Sequence, residues 1–421
     1  MGSPLTAILD ETVTSSAKLE PRPALAELKP VFNGTRMMAA VKKLASEEFE
    51  GRGIGTEGLA KAAAYIADEL KKAGVKPGGD NGSYFQELRV EGPNGTSEQV
   101  KNVIGIIAGN NPKLAGQSVI LSAHYDHLGH GWPGGHGRFK GQVHAGADDN
   151  ASGVAVLLEM AHSLAKSAPE RSIILLASTA EESGLLGARH YVKAEKDHPT
   201  EQIFANVNLD TIGRADDKFL IFGSSSAREW PFIFMGTTMT TGVKTQLVQQ
   251  AINASDHTAF LEAGIPAIHI FGAASADYHR PSDTADKVSL SSLMQAATLT
   301  KEIVAYLGNR PEPMTVQIKA ADPAAAPVAT RPGGRTVSTG TMPDFAFSGV
   351  GVKISQVSAN SAGAKAGLKP GDIITSLGGT PVANLREYST ELGKYSPGDK
   401  IDIIFTRDGH ILTLELELGK R

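Results

Sequence analysis

The sequence predicts an α/β chain, a three-layer sandwich around a mostly parallel mixed sheet, followed by a small mainly-β domain. Three observations carry this. Short, branched-rich, strand-like runs alternate with helical stretches between residues 102 and 307, the pattern of strands covered by helices. Composition then breaks after Gly308: Pro311–Pro343 contains Ala-Asp-Pro-Ala-Ala-Ala-Pro, Arg-Pro-Gly-Gly-Arg and Ser-Thr-Gly-Thr and reads as a linker. Beyond it β patterning resumes, with room for a second domain. The expected division is an N-terminal arm over 1–38, a main domain over 39–310, a linker over 311–343 and a small domain over 344–421.

Taken in order, residues 4–45 are weakly patterned and fit an arm and a helix that pack on the main domain. Gly51-Arg52-Gly53-Ile54-Gly55-Thr56-Glu57-Gly58 is glycine-rich, but Ser46–Glu50 before it is acidic and not strand-like. A turn leading into a helix is therefore expected rather than a dinucleotide loop. That helix spans Leu59–Ala73, with Leu59, Ala63, Ile66 and Leu70 on one face and Gly74 at its end. Strands are expected at Asn102–Ala108, Ser118–Ala123, Ser172–Ser178, Ile203–Leu209, Phe219–Phe222 and Ala267–Phe271. Helices are expected at Gly153–Ala165, Leu185–Ala194, Ala227–Thr240, His257–Ala263 and Leu290–Leu307.

Composition removes several function classes. Among 421 residues, 41 basic and 45 acidic side chains give a net charge of −4, so no basic excess exists to neutralise a nucleic acid backbone. There is no cysteine, which excludes disulfides, thiolate metal sites and a thiol nucleophile together. Any metal must be held by His, Asp and Glu. The longest apolar runs fall far short of the ~20 residues of a membrane span. Met1-Gly2-Ser3-Pro4 has no basic-then-apolar leader pattern and reads as an expression remnant.

Chemistry gathers just past the C-terminal ends of the expected strands, where loops of an open α/β sheet converge on a ligand crevice. Val119–Ala123 leads to His124-Tyr125-Asp126, Ile173–Ala180 to Glu181-Glu182, Phe204–Leu209 to Asp210, and Ala267–Phe271 to Tyr278-His279. Asp148-Asp149-Asn150-Ala151-Ser152-Gly153 stands at a helix start. Singly, each acid or histidine reads as a solvated loop residue or a cap. Together they place charge among small apolar residues, a costly arrangement that divalent cations relieve. Two histidines with three carboxylates suit zinc, with manganese or cobalt as substitutes.

With these motifs the chain resembles the co-catalytic dizinc aminopeptidases, a family that includes bacterial leucyl aminopeptidases, glutamate carboxypeptidases and glutaminyl cyclases. His124-Tyr125-Asp126, Asp149-Asn150-Ala151-Ser152-Gly153, Glu181-Glu182, Asn208-Leu209-Asp210 and Tyr278-His279-Arg280-Pro281-Ser282-Asp283-Thr284 occur in the family order across Ala39–Leu307. The resemblance implies two Zn²⁺ per chain, with Asp149 bridging, His124 and Asp210 completing one position and Glu182 and His279 the other. It implies Glu181 as general base and Tyr278 as hydroxyl donor to the oxyanion. Asp126 and Asp283 would orient His124 and His279 from behind. A cis peptide bond after Asp149 is expected on the same ground. The implied activity is removal of N-terminal residues from peptides, with a carboxypeptidase or an aminoacyl-amide hydrolase or cyclase as alternatives. Family habit implies an extracytoplasmic enzyme.

Other classes fit less well. Gly223-Ser224-Ser225-Ser226-Ala227 follows a strand as a nucleophile elbow does, but Ala227 stands where glycine is needed and no triad partner is placed. A non-enzymatic, metal-stabilised scaffold leaves Glu181 and Tyr278 without a purpose. The histidines at 130, 136 and 144 read as rim residues, and Asp256 as helix capping and support.

The last segment resembles a PDZ domain of the bacterial protease type. Gly351–Val357 alternates as a strand, Ala362–Ile374 matches the short helix, turn and strand, Leu385–Leu392 the groove helix, and Lys400–Phe405 with Ile411–Leu418 the closing strands. The resemblance implies a partner bound through its C-terminus by strand addition, with Gly349, Val350 and Gly351 as the carboxylate loop.

Overall fold

The computed structural model describes residues 31–133, 139–166, 169–194, 202–215, 217–248, 255–273, 275–318, 336–345, 347 and 349–420. Side-chain caps open the first helices: Asn33 accepts from Arg36 N at α1 (Gly34–Leu44), and Thr56 from Leu59 N at α2 (Glu57–Lys72). Strands β1 (Lys76–Pro77), β2 (Phe85–Glu91), β3 (Ser97–Ile107) and β4 (Ser118–His124) precede α3 (Gly153–Leu164). Then come β5 (Ser172–Ser178), α4 (Leu186–Lys193), β6 (Ile203–Asp210), β7 (Phe219–Phe222), α5 (Trp230–Thr241) and β8 (Thr245–Leu247). Helix α6 (His257–Glu262), β9 (Ala267–Phe271) and α7 (Leu290–Asn309) complete the main domain.

The sheet runs β1-β3-β5-β4-β6-β9-β7-β8, with β2 paired to β3. Its centre, β5-β4-β6-β9, is parallel; β3 and β7 flank it antiparallel. Period-two alternation splits each central strand between two helix layers. Val119, Leu121, Ile173 and Leu175 face the core shared with α1, α2, α3 and α7. Ile120, Ile174 and Leu176 face α4 and α6. The result is the expected three-layer sandwich. Strand β2 is an addition to the expected set; its burial alternates residue by residue, as in a strand with one face to solvent.

Two of the expected boundaries are corrected. Helix α1 begins inside the segment expected as an arm over 1–38, because Met37, Ala40, Val41 and Leu44 form an apolar stripe that buries in the main core. The linker expected over 311–343 is shorter at both ends. Met314 is buried in the main core, Val316 bridges Ala227, and Glu229 accepts from Thr315 N and Oγ1. That bridge keeps Ala227 extended, so α5 starts at Trp230 with Pro231 in its first turn.

At the other end, β10 (Val337–Ser338) and β11 (Thr341–Pro343) already belong to the C-terminal domain. They precede β12 (Val352–Val357), α8 (Ala362–Ala366), β13 (Ile373–Leu377), β14 (Thr380–Pro381) and α9 (Leu385–Leu392). Strands β15 (Lys400–Arg407), β16 (His410–Glu417) and β17 (Gly419–Lys420) close the chain. Val352, Ile354, Ile374, Leu377, Ile403 and Phe405 lie in a separate core, and Arg407 holds buried Asp372 by a two-pronged ion pair.

The expected carboxylate loop at Gly349–Gly351 is also corrected. It feeds β12, which is interior: β13 pairs with Val352 and Lys353 on one side, while β11 and Asp344 N occupy the other. Among the described residues no edge is left there for a peptide to add to. Among the described residues β11 pairs with β12 alone. Thr339 and Thr341 reach Tyr388 of α9, so the strand edge beside the groove helix is Thr341–Pro343.

Candidate metal centre

Four parallel strands deliver the site because their C-terminal ends lie side by side. β4 ends on His124 and β6 on Asp210; short loops after β5 and β9 carry Glu181-Glu182 and Tyr278-His279. Asp149 comes from the turn Ala147–Ser152 that enters α3, and its bond to Asn150 is cis.

All five expected ligands meet. His124 Nε2 is 3.4 Å from Asp149 Oδ1 and 3.5 Å from Asp210 Oδ1. His279 Nε2 is 3.2 Å from Asp149 Oδ2 and 3.3 Å from Glu182 Oε2. Donors bound to one zinc ion at 2.0–2.2 Å lie about 3–3.5 Å from one another. The two carboxylate oxygens of Asp149 thus face two separate donor sets. Among the described residues, the ion pairs of Asp149, Glu182 and Asp210 run to histidines alone. Buried acids with no lysine or arginine in an ion pair with them, and imidazole nitrogen beside them, form a donor set that fits zinc.

Electrostatics separate the acids by task. Burial by itself would raise Asp149, but His127, His124 and His279 outweigh it and hold the carboxylate well below its usual range. Burial pushes Glu181 well above that range; His124 opposes this, while Glu182, Asp256 and Asp210 reinforce it. A carboxylate held ready to bind a proton sits beside one held ionised. Tyr278 stacks on His279 at 3.9 Å between centroids, and partial burial with the acids Asp149, Glu182 and Asp210 keeps its phenol protonated as a donor.

The supporting residues act differently from expectation. His124 Nδ1 meets the backbone oxygen of Asp126 at 3.1 Å, while the Asp126 carboxylate is 3.7 Å away. That carboxylate accepts from Glu181 N and Glu182 N, so it fixes the paired glutamates, and the carbonyl sets the histidine tautomer. Asp283, expected behind His279, stands behind Asp149: it accepts from Asp148 N and Asp149 N. Asp256 makes no side-chain cap on α6; it receives the hydroxyl of Ser178 at the end of β5. Of the rim histidines, His144 is buried and turns Nδ1 to Gln142 O, and His136 lies outside the described residues.

Three residues were not singled out from the sequence. Buried Arg52 donates to Tyr125 O, Leu44 O, Ala145 O and Gly146 O, joining the His124 loop to the Asp149 turn. Buried His127 lies 2.8 Å from Glu182 Oε1. Arg214 reaches Asp283 at 2.6 Å, Asp277 at 2.8 Å and Asp148 at 3.6 Å. Asp148 and Asp283 are nearly inaccessible, so Arg214→Ala is expected to cost about 3 kcal/mol by leaving buried acids uncompensated. Urea unfolding of the variant tests this, and a loss under about 1 kcal/mol, the ordinary surface-pair value, refutes it. His127 carried a usable signal, standing three residues from His124 in the same loop. The two arginines carried none, since nearly all their partners are distant in sequence.

The chain from Phe32 onward packs as one compact unit, and among the described residues the C-terminal domain meets the main domain beside this site. Phe345 meets Phe271 edge to face at 5.9 Å, and Arg280 Nη2 donates to Ser358 Oγ at 3.0 Å. These contacts bracket the loop that holds Tyr278 and His279.

Comparison with known proteins follows the two domains. Residues 102–304 match the profile of peptidase family M28, and residues 308–418 that of the PDZ domain. Aminopeptidase YwaD of Bacillus subtilis is 29% identical over 242 residues, 53% of this chain and 48% of that protein. The periplasmic serine endoprotease DegP of Salmonella typhimurium is 43% identical over 68 residues, 16% of this chain and 14% of that protein. The chain thus spans about half the length of the aminopeptidase and a small part of the endoprotease. Glutaminyl cyclase of Bacteroides thetaiotaomicron superposes with a TM-score of 0.56 at 20% identity, over 66% of this chain and 98% of its own. A Zn-dependent exopeptidase of Parabacteroides distasonis gives 0.55 at 23%, over 67% and 99%. At those identities the likeness is one of fold.

Proposed function

We propose that this chain, whose residues 102–304 match peptidase family M28 and whose residues 308–418 match a PDZ domain, is a zinc-dependent aminopeptidase. One observation carries the proposal: two donor sets share Asp149, with Glu181 and Tyr278 beside them. His124, Asp149 and Asp210 would hold one ion, and Asp149, Glu182 and His279 the other, with Mn²⁺ or Co²⁺ as substitutes. When bound, the pair supplies Lewis acidity to the scissile carbonyl and a water nucleophilic at neutral pH. Glu181 takes the proton of the attacking water and returns it to the leaving amine. Tyr278 donates its hydroxyl to the oxygen of the tetrahedral adduct. The preference for a free α-amine, and so for cleavage at the N-terminus, is drawn from the likeness to an aminopeptidase.

The C-terminal domain is proposed to take a peptide or protein chain end along Thr341–Pro343. Its likeness to a segment of a periplasmic protease supports an extracytoplasmic setting. No helix among the described residues is long and apolar enough to cross a membrane. A serine nucleophile gains no support, because Ala227, where the elbow needs glycine, is extended and bridged to Val316.

The test is a panel of aminoacyl nitroanilides with free and blocked α-amines, run with and without a chelator. Hydrolysis is expected only of free-amine substrates, lost on chelation and restored by zinc. Equal turnover of blocked substrates points to a carboxypeptidase, amide hydrolase or cyclase of the same fold. Indifference to the chelator overturns the metal.

A further inference from the structure

We infer that His127 is an additional metal ligand, binding through Nδ1 the ion shared by Asp149 and Glu182. The inference rests on the two-ion reading above and adds a histidine to it. The His127 ring is buried, and neither ring nitrogen has a hydrogen-bond partner among the described residues. Its Nδ1 nevertheless stands 2.8 Å from Glu182 Oε1 and 3.8 Å from Asp149 Oδ1. Glu182 Oε1 is itself buried and without a hydrogen bond. Two such atoms at hydrogen-bond distance that do not bond point past each other. Neighbouring ligands of one cation do this: with bonds near 2.1 Å at right angles they lie about 3 Å apart. Nitrogen and both carboxylates lie close enough to share one ion.

The chain makes room for this ring. His127 N donates to Arg52 O, which fixes the backbone. Gly146 has φ +57°, and a Cβ there would lie 2.5 Å from His127 Cδ2 and 2.2 Å from Asp149 O. Only glycine lets the ring and the Asp149 turn approach this closely. A buried imidazole without a hydrogen bond costs stability unless something binds it. The two metal positions would then differ, with a second nitrogen donor available at the Glu182 side and none added at the Asp210 side.

The experiment is a zinc titration of metal-free full-length protein against a competing chelator, with bound metal counted by mass spectrometry. Wild type is compared with His127→Phe, which keeps the ring and loses the donor, and with His127→Asn, which keeps a donor near Nδ1. The wild type is expected to bind two ions. His127→Phe should weaken one by more than about 100-fold, beyond the 10–100-fold of a merely supporting partner, and leave the other unchanged. His127→Asn should recover part of the loss, and cobalt absorption spectra of the three proteins should differ in the same order.

Two ions of unaltered affinity in His127→Phe, or a loss within the supporting range, overturn the ligand. If His127→Phe fails to fold, His127→Asn decides by its cobalt spectrum, and a wild-type spectrum overturns the inference. A wild type that holds a single ion refutes the two-ion reading instead. His127→Phe must then release that ion, or the inference falls as well.

Discussion

Glu181→Gln is expected to lower turnover about 10²–10⁴-fold while both metal ions stay bound and the melting temperature holds. The side chains are nearly isosteric, so packing does not change. The amide cannot accept the proton of an attacking water, and that is the one capacity removed. In the surrounding geometry Glu181 is tied through its backbone to Asp126, whereas the carboxylate of neighbouring Glu182 is turned to His279 and His127. Burial raises the Glu181 carboxyl, which strengthens it as a base. The measurement is kcat on an aminoacyl nitroanilide beside metal content by mass spectrometry. Undiminished kcat removes Glu181 from the chemistry. Lost metal makes it a ligand.

Arg52→Ala is expected to cost at least about 4 kcal/mol, and activity with it. The guanidinium is wholly inaccessible and satisfies four backbone carbonyls, from Leu44, Tyr125, Ala145 and Gly146. Burial lowers its pKa to about 10, which leaves it charged at neutral pH. Hydrogen bonds to a charged donor are each worth about 1.5–3 kcal/mol, and acceptors left bare in the interior pay their full desolvation. Against a typical total of about 5–15 kcal/mol this is a large fraction. Arg52→Lys keeps the charge and loses the fork, so it should recover only part. Guanidinium unfolding curves measure both. A cost under about 1 kcal/mol for the alanine variant would mean the loops hold without it.

Local signals were strong enough to give most elements. The apolar runs of β4, β5 and β6 are buried on both faces, and the stripe Leu59, Ala63, Ile66 and Leu70 gives α2. Elements with weaker patterns were less legible. Strand β2 is half polar because one face meets solvent, and α5 begins late because Ala227 is committed to pairing with Val316. The PDZ elements were legible from turn chemistry, but the position of the peptide edge was not. Gly349–Gly351 looks like a carboxylate loop only until β11 occupies the strand it leads into.

The sequence by itself determined the α/β class and the break after the main domain, and it offered five candidate ligands that the fold brings together. Each depends on short-range periodicity or on motif order, and both are written along the chain. The tertiary structure alone decided which carbonyls Arg52 would satisfy, that Asp283 serves Asp149, that Arg214 gathers three acids, and that the His127 ring turns into the site. Apart from Arg52 to Leu44, eight residues away, these are contacts between segments tens to more than a hundred residues apart. Their distances follow from how strands stack and where loops cross, which local propensity does not encode.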